Sequence, residues 1–243
     1  MSRNGTALLT VDGLVKRFGG FLALDGLSFS VKAGEILGLV GPNGSGKTTC
    51  INVISGLYRP DDGAIYFEGR SIGGLPSHRL AHAGINRTFQ VPRPFLTLTV
   101  RQNVEIAIAY GRNGGRFREP DELLSALDLL AFADQPAGQL NSARQKMLDL
   151  ARALATGPRL LLIDELAAGL NPMELEHIAG KLKELARSGI ALLVVEHLMG
   201  FIDQITDRVI VINAGKEIFE GKLADAAKNA RVVEVFLGDE NAA

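Results

Sequence analysis

The sequence predicts an α/β fold with a mostly parallel core sheet. Apolar runs at 36–40, 160–163 and 190–195 are short and continuous, as in strands that are buried on both faces. Apolar residues at helical spacing occupy 146–155 and 173–187, on either side of the second run. Strands that alternate with helices in this way are typical of a parallel sheet.

The other elements are predicted in chain order from the same patterns. Residues 7–40 alternate or form short apolar runs between glycine-containing turns, which indicates strands. A helix is predicted over 47–57, after a Gly-rich loop, with its end at Gly56. The remaining predictions are a turn at 61–63, a strand at 64–67, a solvated loop at 111–118 and a helix at 121–131.

Composition limits the function classes. The 243 residues carry 26 Lys and Arg against 27 Asp and Glu, so the net charge of -1 does not favour nucleic acid as a partner. The only cysteine, Cys50, excludes an intrachain disulfide. The first residues lack the apolar core of a signal peptide, and the apolar runs are too short to cross a bilayer. We therefore expect any membrane role to be performed through a partner.

A Gly-rich loop between a predicted strand and a predicted helix carries the clearest chemistry. Glycines let the backbone N–H groups turn inward toward phosphate, and the helix that follows adds the positive end of its dipole. A lysine in the loop supplies a cation to the β- and γ-phosphates, and a hydroxyl after it is placed for Mg²⁺. The residues match G-x-x-x-x-G-K-[ST] and are Gly41, Pro42, Asn43, Gly44, Ser45, Gly46, Lys47 and Thr48, with Thr49 next.

Carboxylates end one apolar run, and a histidine follows another. Asp164 and Glu165 come directly after 160–163, and His197 follows 190–195. Such side chains reach the carboxyl edge of the sheet, where ligands bind in open α/β folds. There Asp164 can hold Mg²⁺ through water, Glu165 can polarise an attacking water, and His197 can contact a γ-phosphate or that water. Taken alone, Asp164 and Glu165 also fit a strand end that turns into solvent, and His197 also fits a histidine that caps a strand end.

The order of these motifs resembles that of ABC ATPases over essentially the whole chain, and above all the ATPase subunits of branched-chain amino-acid importers. The closer likeness is carried by K-R-F-G-G at 16–20, G-P-N-G-S-G-K-T-T at 41–49, I-N-R-T-F-Q at 85–90, L-T-V-R-Q-N-V at 98–104, A-A-G-L-N-P at 167–172, V-V-E-H at 194–197 and R-V-V-E-V-F-L-G at 231–238. The resemblance implies one nucleotide-binding domain over 1–243. Its P-loop α/β core would carry an N-terminal antiparallel β subdomain and a helical subdomain inserted at about 91–157.

The resemblance also implies roles for single residues. Phe18 would stack on adenine, although a lone Phe is commonly a core residue. Gln90 would contact Mg²⁺ or the attacking water and report the nucleotide state to a membrane subunit, although a glutamine here also fits the surface. Glu165 would be the catalytic base and His197 the switch histidine. Asn171 would end the loop that crosses to the other subunit of a dimer.

One segment departs from the family pattern. The signature segment, which in the family reads close to L-S-G-G-Q or L-S-Y-G-Q, consists here of Leu140, Asn141, Ser142, Ala143 and Arg144. Leu166 also replaces the proline that usually follows Asp-Glu. In the family the signature serves the ATP that the opposite subunit holds. The departure fits a benign change, and it also fits a pair of unlike subunits with one good and one weak ATP site.

The resemblance implies a function in membrane transport. Two subunits would form a head-to-tail homo- or heterodimer that hydrolyses ATP with Mg²⁺. This dimer would energise transmembrane permease subunits at the cytoplasmic face of the inner membrane. A periplasmic or extracellular solute-binding protein would be an indirect partner. A weakly hydrolysing regulatory subunit is the alternative. A third option is an ABC protein that acts on ribosomes or DNA, but such proteins usually carry two cassettes in one chain, and this chain has one.

The transported solute is a separate question. Branched-chain amino acids are the favoured cargo, while urea, other small amides and aromatic acids stay open. Arg112, Arg116 and Arg118 fit a solvated loop, a lipid contact or a partner contact.

Overall fold

A computed structural model describes residues 7–89, 91–111 and 119–240 of the chain. Gln90 and the arginines within 112–118 lie outside the described residues, so their predicted roles stay predictions. The strands are β1 (Ala7–Phe18), β2 (Phe21–Lys32), β3 (Ile36–Val40), β4 (Asp62–Phe67), β5 (Arg70–Ser71), β6 (Ile85–Arg87), β7 (Leu160–Asp164), β8 (Ala191–Val195), β9 (Arg208–Asn213) and β10 (Lys216–Gly221). The helices are α1 (Lys47–Ile54), α2 (Ser77–Ala83), α3 (Val100–Tyr110), α4 (Pro120–Ala126), α5 (Ser142–Ala155), α6 (Pro172–Arg187), α7 (Met199–Ile205), α8 (Leu223–Ala226) and α9 (Ala230–Glu240).

The strands form two sheets. The larger one has the order β10-β9-β3-β8-β7-β6, in which the pairs from β9 to β6 are parallel and β10 is an antiparallel edge strand. The smaller one, of order β2-β1-β4-β5, is antiparallel throughout. The predicted fold class is therefore confirmed, including its antiparallel N-terminal part.

The central strands separate two hydrophobic cores, because successive side chains of a strand point to opposite faces. Leu160 and Leu162 of β7 pack toward the antiparallel sheet and α1, in the first core. Leu161 and Ile163 pack toward α5 and α6, in the second core. Strands buried on both faces are uniformly apolar, which is why the sequence showed continuous apolar runs here.

Helices occupy most of the chain between β6 and β7. Within the described residues of this region, α3 packs on α5 and α4 lies beside both. Thr99 starts α3 with a reciprocal capping box, because its side chain accepts from the Gln102 amide while the Gln102 side chain accepts from the Thr99 amide. No strand of either sheet runs through this part of the described chain.

The single cysteine lies inside the first core. Cys50 sits in α1, one turn after the Gly-rich loop, and is fully buried. Burial raises the pKa of its thiol to about 12. The side chain therefore behaves as a small apolar core residue.

None of the helices in the described ranges combines the length and the hydrophobicity that a membrane-spanning segment needs.

Candidate functional site

The Gly-rich loop at 41–46 joins β3 to α1, and together with Lys47, Thr48 and Thr49 at the start of α1 it forms the segment called the phosphate loop below. Two of its glycines pack against neighbouring backbone. A Cβ at Gly41 would lie 2.1 Å from the carbonyl oxygen of Ile212, and a Cβ at Gly46 would lie 2.5 Å from that of Ala23. Gly46 also has a φ of 107°, which L-residues rarely adopt. Only glycine fits these two positions, and the loop is held tightly against β9 and β2.

Two polar side chains of the loop are buried. Lys47 is 6% exposed, and its Nζ donates to the carbonyl oxygens of Gly41 and Pro42, both at 2.8 Å. The Ser45 hydroxyl is buried and has no hydrogen-bond partner among the described residues. A buried hydroxyl without a hydrogen-bond partner destabilises the folded chain unless a ligand or a water supplies that partner. A cation and an orphaned hydroxyl within a glycine cradle fit the phosphates of a nucleotide.

Asp164 ends β7 at the same edge of the sheet. It is 3% exposed, and Arg87 Nη2 lies 3.5 Å from its Oδ2. Burial raises the pKa of this carboxyl, while the charges of Arg87 and, more weakly, Lys47 lower it. Thr48 is exposed in the first turn of α1. Carboxylate and hydroxyl oxygens are ligands that Mg²⁺ prefers, so these residues fit that ion.

Glu165 and His197 form a pair next to Asp164. His197 Nε2 lies 2.9 Å from Glu165 Oε1, within hydrogen-bond distance. Glu165 has a φ of 50°, in the left-handed region, and its amide donates to the Val195 carbonyl at 2.9 Å. The backbone therefore reverses directly after β7 and keeps the carboxylate at the sheet edge. A carboxylate that is oriented by an imidazole can accept a proton from water.

Phe18 lies at the tip of the β1–β2 hairpin and is 41% exposed. The rings of Phe18 and Tyr58 form a T-shaped pair, with their centroids 5.1 Å apart and an interplanar angle of 78°. Lys16 Nζ lies 5.5 Å from the centroid of the Phe18 ring. Phe18 is therefore a supported aromatic surface, not a core residue, and the same hairpin packs on the phosphate loop through Ala23. A planar base could stack there.

The signature segment at 140–144 starts α5. The Asn141 side chain accepts a hydrogen bond from the Arg144 amide at 2.9 Å, so it caps the helix as a serine would. The Arg144 guanidinium lies 4.0 Å from the centroid of the Phe132 ring. Ser142 and Ala143 form the first turn of the helix. The arginine is thus held by an aromatic ring within its own subunit.

Three charged residues at this edge were not predicted from the sequence. Arg87 joins Asp164 to α1, since its Nη1 donates to Asn52 Oδ1 at 2.7 Å and to Ser55 Oγ at 3.1 Å. Lys146 and Glu196 are buried next to the chain that follows Glu165. Arg87 belongs to the I-N-R-T-F-Q motif, which could have singled it out. Glu196 likewise belongs to the V-V-E-H motif, whereas Lys146, a charge inside an amphipathic helix, lies in none of the motifs named above.

A phosphate loop, a strand-end aspartate and a glutamate–histidine pair at one sheet edge define an α/β protein that binds and hydrolyses nucleotides. Residues 24–168 match the ABC transporter family, and the chain belongs to that family. It is an ATP-binding subunit of the ABC type, an ATPase coupled to transport.

Individual proteins support this assignment. The chain is 35% identical over 250 residues to the high-affinity branched-chain amino acid transport ATP-binding protein BraF of Pseudomonas aeruginosa, covering 96% of this chain and 98% of that protein. It is similar to the ADP conformation of an ATP-binding cassette of an ABC transporter, with a TM-score of 0.85, 33% identity and coverage of 96% and 99%. A dimeric cassette in a post-hydrolysis state, bound to ADP and Pi, has a TM-score of 0.78, 28% identity and coverage of 88% and 98%.

Proposed function

We propose that this chain hydrolyses Mg-ATP to energise the import of branched-chain amino acids or similar small polar solutes. Its similarity to BraF extends over nearly the full length of both proteins and supports this class of cargo. The observation that carries the hydrolytic part is the 2.9 Å pair between Glu165 and His197, at the sheet edge that also holds Asp164.

The binding part of the proposal assigns ATP to the phosphate loop and the hairpin tip. Lys47 would pair with the β- and γ-phosphates in exchange for its present bonds to loop carbonyls. The orphaned Ser45 hydroxyl would gain an acceptor there. Adenine would stack on Phe18, which Tyr58 holds from one side. The loop residues Gly41, Pro42, Asn43, Gly44, Gly46, Thr48 and Thr49 complete the binding segment.

The hydrolytic part assigns one task to each residue. Glu165 would accept the proton of the attacking water, and His197 would keep the Glu165 carboxylate and that water in place. Thr48 and Asp164 would hold Mg²⁺, with Gln90 as a further ligand, and the ion would neutralise charge on the phosphates. Arg87 would keep Asp164 ionised against the effect of its burial.

We further propose a head-to-tail dimer in which the signature segment of each subunit meets the ATP of the other. The dimeric cassette with ADP and Pi supports this arrangement. Asn141, Ser142, Ala143 and Arg144 would then form a weak second half of a site. The alternative is a regulatory subunit that hydrolyses slowly in a complex with an unlike ATPase. The stacking of Arg144 on Phe132 favours it, since it directs this cation to its own subunit.

The partners would be transmembrane permease subunits at the cytoplasmic face of the membrane, with a solute-binding protein acting on the permease. A groove of about 240 Å³ beside β6 suits such contact. It is lined by Phe89, Phe95 and Tyr110, which are 37%, 47% and 81% exposed. We propose that the chain forms a single domain over 1–243 with a helical subdomain at about 91–157. The groove lies at the border of that subdomain.

The experiment is Glu165→Gln, which keeps the side-chain shape and removes the base. We expect Mg-ATP to bind while steady-state hydrolysis, measured with the natural partners present, falls at least ~10²-fold. The exposed Glu184 in α6 offers a control, since Glu184→Gln should leave the rate unchanged. Parental activity in Glu165→Gln would refute the base assignment. If the parent complex already hydrolyses ATP slowly and Glu165→Gln leaves that rate unchanged, the result favours the regulatory alternative.

A further inference from the structure

The three residues that follow Glu165 are held by two buried charged side chains. Lys146 of α5 donates from Nζ to the carbonyl oxygen of Leu166 at 2.9 Å and also to that of Ala168. Between these two carbonyl groups in the chain, the Ala167 amide donates to Glu196 Oε1 at 2.6 Å. Segment 166–168 is therefore fixed through consecutive backbone groups, in a loop that connects β7 to α6.

Both charged residues are almost fully buried. Lys146 is 6% exposed and Glu196 is 2% exposed. Burial lowers the pKa of the lysine and raises that of the glutamate, and the two opposite charges partly offset these effects. An apolar side chain often stabilises such a buried position as well as a charged one does. The lysine at this position therefore calls for a function beyond packing.

The backbone of Glu165 supplies that function. Its φ of 50° is unfavourable for a residue with a Cβ, and such a conformation persists only where the surroundings enforce it. Its amide is bound to the Val195 carbonyl on one side. On the other side, the bonds from Lys146 determine where the chain continues. Without them, the left-handed turn could relax and withdraw the carboxylate from His197.

We propose that Lys146 is the positioning residue of the proposed catalytic base Glu165. It acts through the carbonyl groups of Leu166 and Ala168 and does not touch the substrate. Lys146 lies about one turn into α5, whose first turn contains the end of the signature segment. The same lysine thus connects the helix that serves the partner's ATP to the loop that carries this subunit's own base. This inference rests on the role proposed for Glu165.

The test compares Lys146→Met with Lys146→Arg in the full chain, together with its natural partners. Methionine keeps much of the length and loses both hydrogen bonds. We expect kcat for ATP to fall at least ~10-fold in Lys146→Met, because a displacement of about 1 Å can cost up to about 10²-fold. The KM for ATP and the affinity for a fluorescent ATP analogue should stay within about threefold of the parent. Lys146→Arg keeps a cation with several donors and should restore most of kcat.

A matched control is Lys181→Met. Lys181 in α6 binds Asp128 at 3.2 Å and lies outside the proposed catalytic residues, so both kinetic constants should stay at parental values. If Lys146→Met instead lowers kcat, affinity and Tm together, or if Lys146→Arg recovers Tm without kcat, then the lysine is only structural. Should Lys146→Met fail to fold, Lys146→Gln keeps one N–H donor without the charge and should show the same loss confined to kcat.

Glu165→Gln in the same assay separates the two proposals. An inactive Glu165→Gln beside a fully active Lys146→Met would overturn the positioning role alone. An active Glu165→Gln would overturn the assignment of the base on which that role rests.

Discussion

At the residue scale, the candidate site places charged side chains where burial works against them. Lys47, Asp164, Lys146 and Glu196 are each at most 6% exposed. Each is bound to a backbone group or an opposite charge, which limits the cost of removing it from water. Such groups are retained where chemistry needs them, since stability alone would favour apolar side chains.

Lys47 gives the first prediction at this scale. Lys47→Ala removes the only cation of the phosphate loop, so we expect most of the ATP affinity to be lost. Titration with a fluorescent ATP analogue measures the change. Exposed Lys228, shortly after α8, provides a lysine-to-alanine control that should bind like the parent. An affinity of Lys47→Ala within a few-fold of the parent would overturn the assignment of the loop.

Asp164 gives the second prediction at this scale, which concerns how stability depends on pH. Burial raises the pKa of the Asp164 carboxyl, so the folded chain binds its proton more readily than the unfolded chain does. Above the pKa of this carboxyl in both states, the ionised carboxylate therefore lowers the free energy of unfolding. Asp164→Asn should therefore raise the Tm of the nucleotide-free chain at pH 7. The difference should shrink as the pH falls and the parental carboxyl becomes neutral.

Asp164→Asn should also reduce the rate of ATP hydrolysis. Loss of a group that only orients a metal ligand typically costs ~10- to 100-fold in activity, and we expect a larger reduction here because Asp164 would hold the ion. Differential scanning fluorimetry over pH 5–8, with an ATPase assay, checks both results. Asp203→Asn, at an exposed position in α7, should change neither. A lower Tm for Asp164→Asn than for the parent at pH 7 would contradict the expected direction of the stability change.

The sequence singled out candidate site residues where a motif names their chemistry, and it gave no prediction for buried charged residues whose contacts arise from packing. The phosphate loop, Asp164, Glu165 and His197 all reach one sheet edge as expected. Lys146 was only one polar position in an amphipathic helix. Its contacts with Leu166 and Ala168 join segments about 20 residues apart, and no local pattern encodes them.

At the element scale, helix ends depended on local backbone conformations that periodicity cannot detect. The helix predicted over 121–131 ends at Ala126, and Asp128 then adopts a φ of 55° before a short 3-10 turn at Leu130–Phe132. The helix predicted over 146–155 begins earlier, at Ser142, because Asn141 caps it. The strands β9 and β10 and the helices after β8 were not predicted individually.

Two glycines of the phosphate loop give the prediction at this scale. A Cβ at Gly46 would meet the Ala23 carbonyl at 2.5 Å, whereas a Cβ at Gly44 would meet nothing within 4 Å. Both have positive φ, so each alanine bears a strain of about 1–2 kcal/mol. Only Gly46→Ala must also displace β2. We expect Gly46→Ala to lower Tm clearly more than Gly44→Ala in thermal unfolding. Equal losses would show that the loop does not pack on β2 as described.

At the scale of the whole molecule, the signature segment decides how two subunits share their ATP. Asn141→Ser keeps a helix cap, Ala143→Gly removes a methyl group, and Arg144→Gln releases the stack on Phe132. In the isolated chain with Mg-ATP, the triple variant should dimerise or hydrolyse clearly more than the parent. Sizing with light scattering and an ATPase assay measure these outcomes.

Phe132→Leu is the matched control for this triple variant. It frees Arg144 while leaving 140–144 unchanged, and it should not reproduce the gain. An unchanged triple variant, together with equal hydrolysis at both sites of the natural dimer, would exclude an asymmetric pair.

The burial of Cys50 has a practical consequence for following these subunits in action. A protonated, inaccessible thiol does not react with maleimides or spin labels while the chain stays folded. A cysteine introduced at an exposed position, such as Met173→Cys at a residue 82% exposed, would then be the sole reactive group. One label per subunit could therefore report distances between the two halves of an assembled transporter during turnover, with the native cysteine left in place.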